Sequence, residues 1–106
     1  MSKRFTIFVS HTCHPDHGYT NQIDAVRAGW ANGLDQVLGA VERGFRWTLE
    51  SSIFFQAYRE LRDTGRLRAL AQAVHNGHIE LCATYANLEY EHIDREEMTR
   101  VCYLAN

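Results

Sequence analysis

The chain has 106 residues, of which 45% are hydrophobic and 23% charged, as in an ordinary soluble globular domain with a modest core. A formal net charge of -2 gives no electrostatic basis for binding nucleic acid or an anionic membrane. No stretch approaches the roughly 18 apolar residues of a membrane span, and the N-terminus lacks a signal-peptide pattern. Three widely spaced cysteines argue against a disulfide framework, so we expect a cytoplasmic protein.

The first predicted element is a buried strand, because residues 5–10 are almost uniformly apolar or β-branched. The loop after it, residues 11–19, contains three histidines, one cysteine and one aspartate. Pro15 favours extended backbone at His14, and residues two apart in an extended chain project to the same side. The imidazole of His14 and the carboxylate of Asp16 are therefore predicted to converge on one divalent ion such as Zn²⁺.

Other interpretations of this loop stay open. Histidines in loops are often simply solvated, and Asp-His-Gly is ordinary turn composition. Cys13 is a less favoured candidate for a ligand or a nucleophile. His11 could support His14 by a hydrogen bond to its ring, as the outer partners of metal-binding histidines do.

A long helix is predicted from about Thr20 to Val41, because apolar residues recur there at spacings of three and four. Thr20 or Asn21 can cap its first turn. Residues 45–50 form the second predicted strand, and Glu50 falls at its C-terminal end. In a parallel sheet this places Glu50 beside the histidine-rich loop.

Three more helices and a third strand complete the pattern. Ser51 or Ser52 caps a helix, and a second helix ends at the Asn-Gly pair 76–77, which suits a left-handed C-cap. The third strand covers residues 78–85, and Asp94 caps the last helix. The residues predicted to face inward on the first of these helices are Phe54, Phe55, Tyr58 and Leu61.

The order of elements is therefore β-α-β-α-α-β-α within one domain of residues 1–106. Strands that alternate with helices favour a parallel sheet with right-handed crossovers. The predicted fold class is α/β, the first three βα units of an incomplete β/α barrel, since eight units need about 250 residues. A small three-stranded α/β domain is the alternative. Its exposed sheet edge would favour a homo-oligomer.

The histidine-rich loop resembles the N-terminal metal motif of class II α-mannosidases, glycoside hydrolase family 38. The motif of that family is a histidine, any residue, an aspartate, a small residue or proline, a glycine and an aromatic. Further segments are similar to the family's second strand, its passage into the third strand, and the loop and acidic helix that follow. These segments are residues 45–50, 70–81, 85–87 and 96–100. The resemblance covers almost the whole chain in register.

The resemblance implies a zinc-dependent retaining glycosidase whose substrate is a terminal α-mannoside. His14 and Asp16 would be two of its metal ligands, and the catalytic nucleophile, an aspartate, would lie beyond Asn106. The metal would bind hydroxyls of the terminal sugar and help to distort its ring. Because a catalytic zinc needs three protein ligands, we expect the isolated chain to bind metal weakly, if at all, and to be inactive.

Four other residues are candidates for contacting the sugar or supporting the metal ligands: His11, Tyr19, Glu50 and Tyr85. The two tyrosines could stack on a sugar ring, although aromatic residues at strand ends more often pack in the core. Glu50 could contact the sugar or orient a metal ligand, and otherwise it is a solvated acid or a helix cap.

Two other functions fit the same pattern. A metal-dependent deacetylase or phosphoesterase also places histidine and aspartate after its first strand, but there the metal activates water. A truncated, non-catalytic α/β module would act only in binding or assembly.

Overall fold

The computed structural model describes residues 3–14, 19–86 and 90–104. Its elements are α1 (Ile23–Val41), β1 (Trp47–Leu49), α2 (Ile53–Leu61), α3 (Thr64–His75), β2 (Ile79–Leu81), one turn of 3-10 helix (Tyr90–His92) and α4 (Arg95–Leu104). The two strands pair in parallel, with Trp47 opposite Ile79. None of the helices within these ranges has the length and apolar character needed to cross a membrane.

The core lies where α1 and α2 pack on each other and on the two strands. Trp30 of α1 meets Phe54 of α2 edge to face, with 4.8 Å between ring centroids. Each large apolar side chain buried in this way contributes about 1.5–3 kcal/mol. The other buried residues of this core are Ala31, Leu34, Leu38, Leu49, Ala57, Tyr58, Leu70, Ala73 and Ile79.

A polar cluster joins α1 to α2 at the edge of this core. Asp35 accepts hydrogen bonds from the Tyr58 hydroxyl (2.7 Å) and from Nε of Arg62 (2.8 Å). Arg62 also donates to the side-chain oxygen of Asn32 at 2.6 Å. Burial alone would raise the pKa of Asp35, but these hydrogen bonds and the positive charges of Arg62 and Arg66 lower it. The carboxylate is therefore held in its ionised form.

The prediction of three βα units of an incomplete barrel is wrong. The described residues form a small mixed domain with four α-helices and two short parallel strands. The predicted first strand is absent from residues 5–10, whose large apolar side chains are exposed: Phe5 82%, Ile7 84%, Phe8 92% and Val9 69%. This segment meets the sheet through an isolated parallel bridge between His11 and Trp47. A strand needs a partner for its backbone N–H and C=O groups, and an apolar pattern cannot reveal whether one is present.

The third predicted strand, residues 78–85, is also shorter than predicted. In the structure β2 covers only Ile79–Leu81, and the chain after it leaves the sheet. The N–H of Cys82 still donates to the Leu49 carbonyl (3.0 Å), but the carbonyls of Thr84 and Tyr85 accept from the first N–H groups of α2. The backbone carbonyls after β2 therefore bind the N–H groups at the start of α2 and do not extend the sheet.

The predicted helix ends were partly right. Gly77 has φ +72°, which confirms the left-handed C-cap predicted after α3. The N–H of Glu97 donates to Asp94 at 2.8 Å, which confirms the cap of α4. By contrast, α1 is preceded by Gln22 rather than capped by Thr20 or Asn21. On α2, Phe54 and Tyr58 are buried as predicted, whereas Phe55 and Leu61 are exposed.

Candidate functional site

Thr48 holds residues 10–12 beside β1. Its backbone N–H donates to the His11 carbonyl at 2.8 Å, and its hydroxyl lies 2.8 Å from the hydroxyl of Ser10. The Thr12 hydroxyl donates to the Thr48 carbonyl at 3.1 Å. Three consecutive residues of the segment are therefore fixed by one residue of the strand, and the histidine-rich loop begins at a defined place.

Glu50, the first residue after β1, contacts the ring of His14. Its Oε2 lies 2.9 Å from Nδ1 of the histidine. The side chain of Glu50 is 22% exposed, whereas that of His14 is 76% exposed. A carboxylate at Nδ1 fixes the orientation of the ring and directs the other nitrogen, Nε2, away from the sheet. This is the arrangement in which a histidine commonly binds a metal.

The second predicted metal ligand, Asp16, lies outside the described residues. Its convergence with His14 stays a prediction. Within residues 3–14, 19–86 and 90–104, no group of three or more histidine, cysteine, aspartate or glutamate residues could hold a metal ion. The described part of the chain thus supplies one histidine that fits a metal site, together with the carboxylate that orients it.

The negative charge of Glu50 affects the pKa of two cysteines, Cys13 and Cys82. Desolvation, and then the negative charge of Glu50, raise the pKa of the Cys13 thiol. Desolvation, followed by the charges of Glu80 and Glu50, raises the pKa of Cys82. Both groups are therefore protonated thiols at neutral pH, which makes them poor nucleophiles.

The other predicted site residues make different contacts. The ring of His11 packs on the ring of Phe45, with 4.7 Å between centroids. Tyr19 lies at the surface. The Tyr85 hydroxyl donates to the side-chain oxygen of Gln56 at 2.6 Å, which ties the loop after β2 to α2. The contact that the structure shows at the His14 ring is with Glu50.

Sequence reasoning missed Thr48 and Gln56 as residues that position the candidate site. The signal for Thr48 was a polar residue between Trp47 and Leu49 in an otherwise apolar strand. A hydroxyl at such a position often bonds to the neighbouring chain, because cross-strand side chains lie only about 5 Å apart. The contact between Gln56 and Tyr85 left no sequence signal, since the two residues are 29 positions apart.

The assembled site is a histidine–glutamate pair at the C-terminal end of β1, reached by a segment that Thr48 anchors. Chemically, the pair can present one imidazole nitrogen to a cation while the carboxylate supports the ring from behind. Neither a protein-family model, nor a curated protein, nor a solved structure matches this chain.

Proposed function

We propose that this chain supplies part of the active site of an α-mannosidase-like retaining glycosidase that uses Zn²⁺ or another divalent metal. The observation that carries the proposal is the 2.9 Å contact between Glu50 and His14. It supports metal binding because the outer partner of a metal-binding histidine is usually a carboxylate or a carbonyl. The choice of a mannoside as substrate is supported by the resemblance of residues 10–19 to the α-mannosidase motif.

In this proposal His14 and Asp16 hold the metal, and Glu50 orients His14. When bound, the metal supplies Lewis acidity toward the hydroxyls of a terminal α-mannoside. His11, Tyr19 and Tyr85 are proposed to line the sugar site. A retaining glycosidase also needs two carboxyl groups about 5–5.5 Å apart, and we propose that residues outside this chain provide the nucleophile.

The proposed setting is the cytoplasm. All three cysteines fall within the described residues, and none of them forms a disulfide. This state supports a reducing compartment.

The metal site is tested by titrating the purified chain with Zn²⁺ in a calorimeter. We expect weak binding that is lost in His14→Ala and in Asp16→Asn. Glu50→Gln should weaken it by about 10–100-fold, because removing an outer partner typically has that effect. The matched control is His75→Ala, which removes an exposed histidine from the end of α3. Equal binding by the His14→Ala and His75→Ala variants, or binding that survives Asp16→Asn, would contradict the proposal.

The substrate class is tested by NMR titration of the chain in excess Zn²⁺. Methyl α-mannoside is expected to shift amide resonances around His14 and Tyr19, and to lose that effect when Zn²⁺ is chelated. An acetylated sugar and a phosphate ester serve as competitors from the two other hydrolase classes. If the phosphate ester or the acetylated sugar shifts these resonances instead, the mannosidase assignment is wrong. If none of the three binds, the chain is better described as a non-catalytic module.

A further inference from the structure

Residues 5–9, the N-terminal segment, form a strongly apolar exposed surface of the described chain. Four of its five side chains are large hydrophobic groups, and each is at least two-thirds exposed. Contiguous apolar surface of this kind marks an interaction site, because isolated soluble chains rarely leave it in water. An extended apolar segment also has unpaired backbone groups that favour association with another chain.

An open apolar groove lies nearby, between α1 and β1. Its volume is about 530 Å³, and its walls include Trp30, Val37, Phe45 and Trp47. Small residues of α1 keep it open. A side chain at Gly29 or Gly33, both in its lining, would meet no other atom within 4 Å of its first carbon. The same molecule therefore exposes an apolar segment and an unfilled apolar groove.

The register of residues 5–9 leaves them without a strand partner in their own molecule, so they are available to a second molecule. His11 pairs with Trp47, so each residue of the segment lies opposite the residue 36 positions later. Val9 would then lie opposite Phe45, and Ile7 opposite Arg43, where the chain is still in the turn that follows α1. Residues 5–9 thus have no strand beside them in their own molecule, because β1 begins only at Trp47.

We propose that two copies of this chain associate by exchanging their N-terminal segments, so that residues 5–9 of each copy fill the groove of the other. Exchange of identical elements gives a closed, two-fold assembly in which both apolar surfaces are covered at once. Each buried phenylalanine removes about 150–250 Å² from water. The four rings of a dimer remove roughly 600–1,000 Å² from water. With the groove walls that they cover, the interface reaches the lower end of the size range for specific association, that of a weak dimer.

The experiment is analytical ultracentrifugation of the 106-residue chain over a range of concentrations. We expect a monomer–dimer equilibrium in the wild type. Phe8→Asp should weaken it by about tenfold or more, because the substitution places a charge in an apolar interface. The matched control is Tyr103→Asp, which alters another strongly exposed aromatic residue, on α4, and should leave the equilibrium unchanged.

The groove is tested separately by filling it. Gly33→Leu adds a side chain whose first carbon meets no atom within 4 Å, and leucine favours the helix more than glycine, so we expect the fold to be retained. Gly39→Leu is the control, because Gly39 is on the same helix with the same open space but does not line this groove. We expect the first variant to be monomeric and the second to associate like the wild type.

An equimolar mixture of Phe8→Asp and Gly33→Leu distinguishes exchange from other dimers. The intact segment of the Gly33→Leu copy can enter the intact groove of the Phe8→Asp copy, so a mixed dimer should form more readily than the homodimer of either variant. A wild-type monomer up to about 1 mM would overturn the proposal, as would open-ended aggregation or the absence of mixed dimers. Because these variants leave His14 and Glu50 intact, the result is independent of the proposed metal site.

Discussion

Asp35 shows how a single carboxylate connects two helices. The hydroxyl of Tyr58 and the guanidinium of Arg62 both donate to it, although they lie 23 and 27 positions further along the chain. The spacing of apolar residues was sufficient to predict that Tyr58 is buried. No local pattern could predict its partner, because the contact exists only once α1 has packed against α2.

We expect Asp35→Asn to lower the free energy of unfolding by about 1–2 kcal/mol at pH 7, since it removes charge-assisted hydrogen bonds that are partly exposed to solvent. The native fold lowers the pKa of Asp35, so its stabilisation is complete above the unfolded pKa of about 3.9 and is lost as the pH falls through the lower native value. Urea unfolding at pH 7 and at pH 2.5 measures the difference. Glu42→Gln, on the exposed end of the same helix, is the control. If Asp35→Asn lowered the free energy of unfolding equally at both pH values, this account would be contradicted.

At the scale of the elements, the starts of α2 and α3 provide a matched comparison. Asp63 precedes α3, and its carboxylate accepts from the Arg66 N–H at 2.9 Å. Ser52 occupies the same position before α2, but its hydroxyl makes no capping bond and finds no hydrogen-bond partner among the described residues. The N–H of Ile53 donates to the Tyr85 carbonyl instead. A favourable residue at a helix start therefore does not guarantee a cap.

We expect Asp63→Ala to cost about 1 kcal/mol of stability, the usual effect of removing a helix cap. Ser52→Ala should be neutral or slightly stabilising, because it removes a buried hydroxyl that has lost its water without gaining a partner. Thermal unfolding of both variants, followed by circular dichroism, measures the contrast. If Ser52→Ala proved as destabilising as Asp63→Ala, the hydroxyl would have a role that these contacts do not show.

The helices were the part of the fold that the sequence could predict, because a periodic apolar stripe is a property of the helix itself. The strands were harder, since residues 5–9 have the composition of a buried strand whether or not a partner lies beside them. The candidate site divides in the same way. The proline and the spacing of the loop identified His14, and the end of an apolar strand identified Glu50. The anchoring by Thr48 depends on the register between two segments, which only the structure gives.

The whole molecule is more extended than a compact chain of its length. Its radius of gyration is 15.9 Å, compared with about 13 Å expected for 100 residues in a compact domain. The last helix, α4, buries Val101 while Met98, Tyr103 and Leu104 remain exposed. The N–H of Tyr85 donates to the Val101 carbonyl at 3.1 Å, which links this helix to the loop after β2.

We expect the backbone amides of α4 to exchange with solvent at least about tenfold faster than those of α1 and α2. Local opening needs little free energy where few apolar groups are buried. Hydrogen–deuterium exchange measured by NMR gives the comparison residue by residue, and α3, which buries Leu70 and Ala73, is the internal control. Equal protection of α4 and α1 would show that α4 is held by more than the contacts of Val101.

The groove between α1 and β1 has a consequence for spectroscopy. The chain contains two tryptophans, and both of them, Trp30 and Trp47, are part of its wall. Both indole rings of the chain therefore border this groove. Filling the groove with an apolar group would displace water from the indole rings and move the emission maximum to shorter wavelength. Tryptophan fluorescence can therefore follow the occupancy of this groove without an added label.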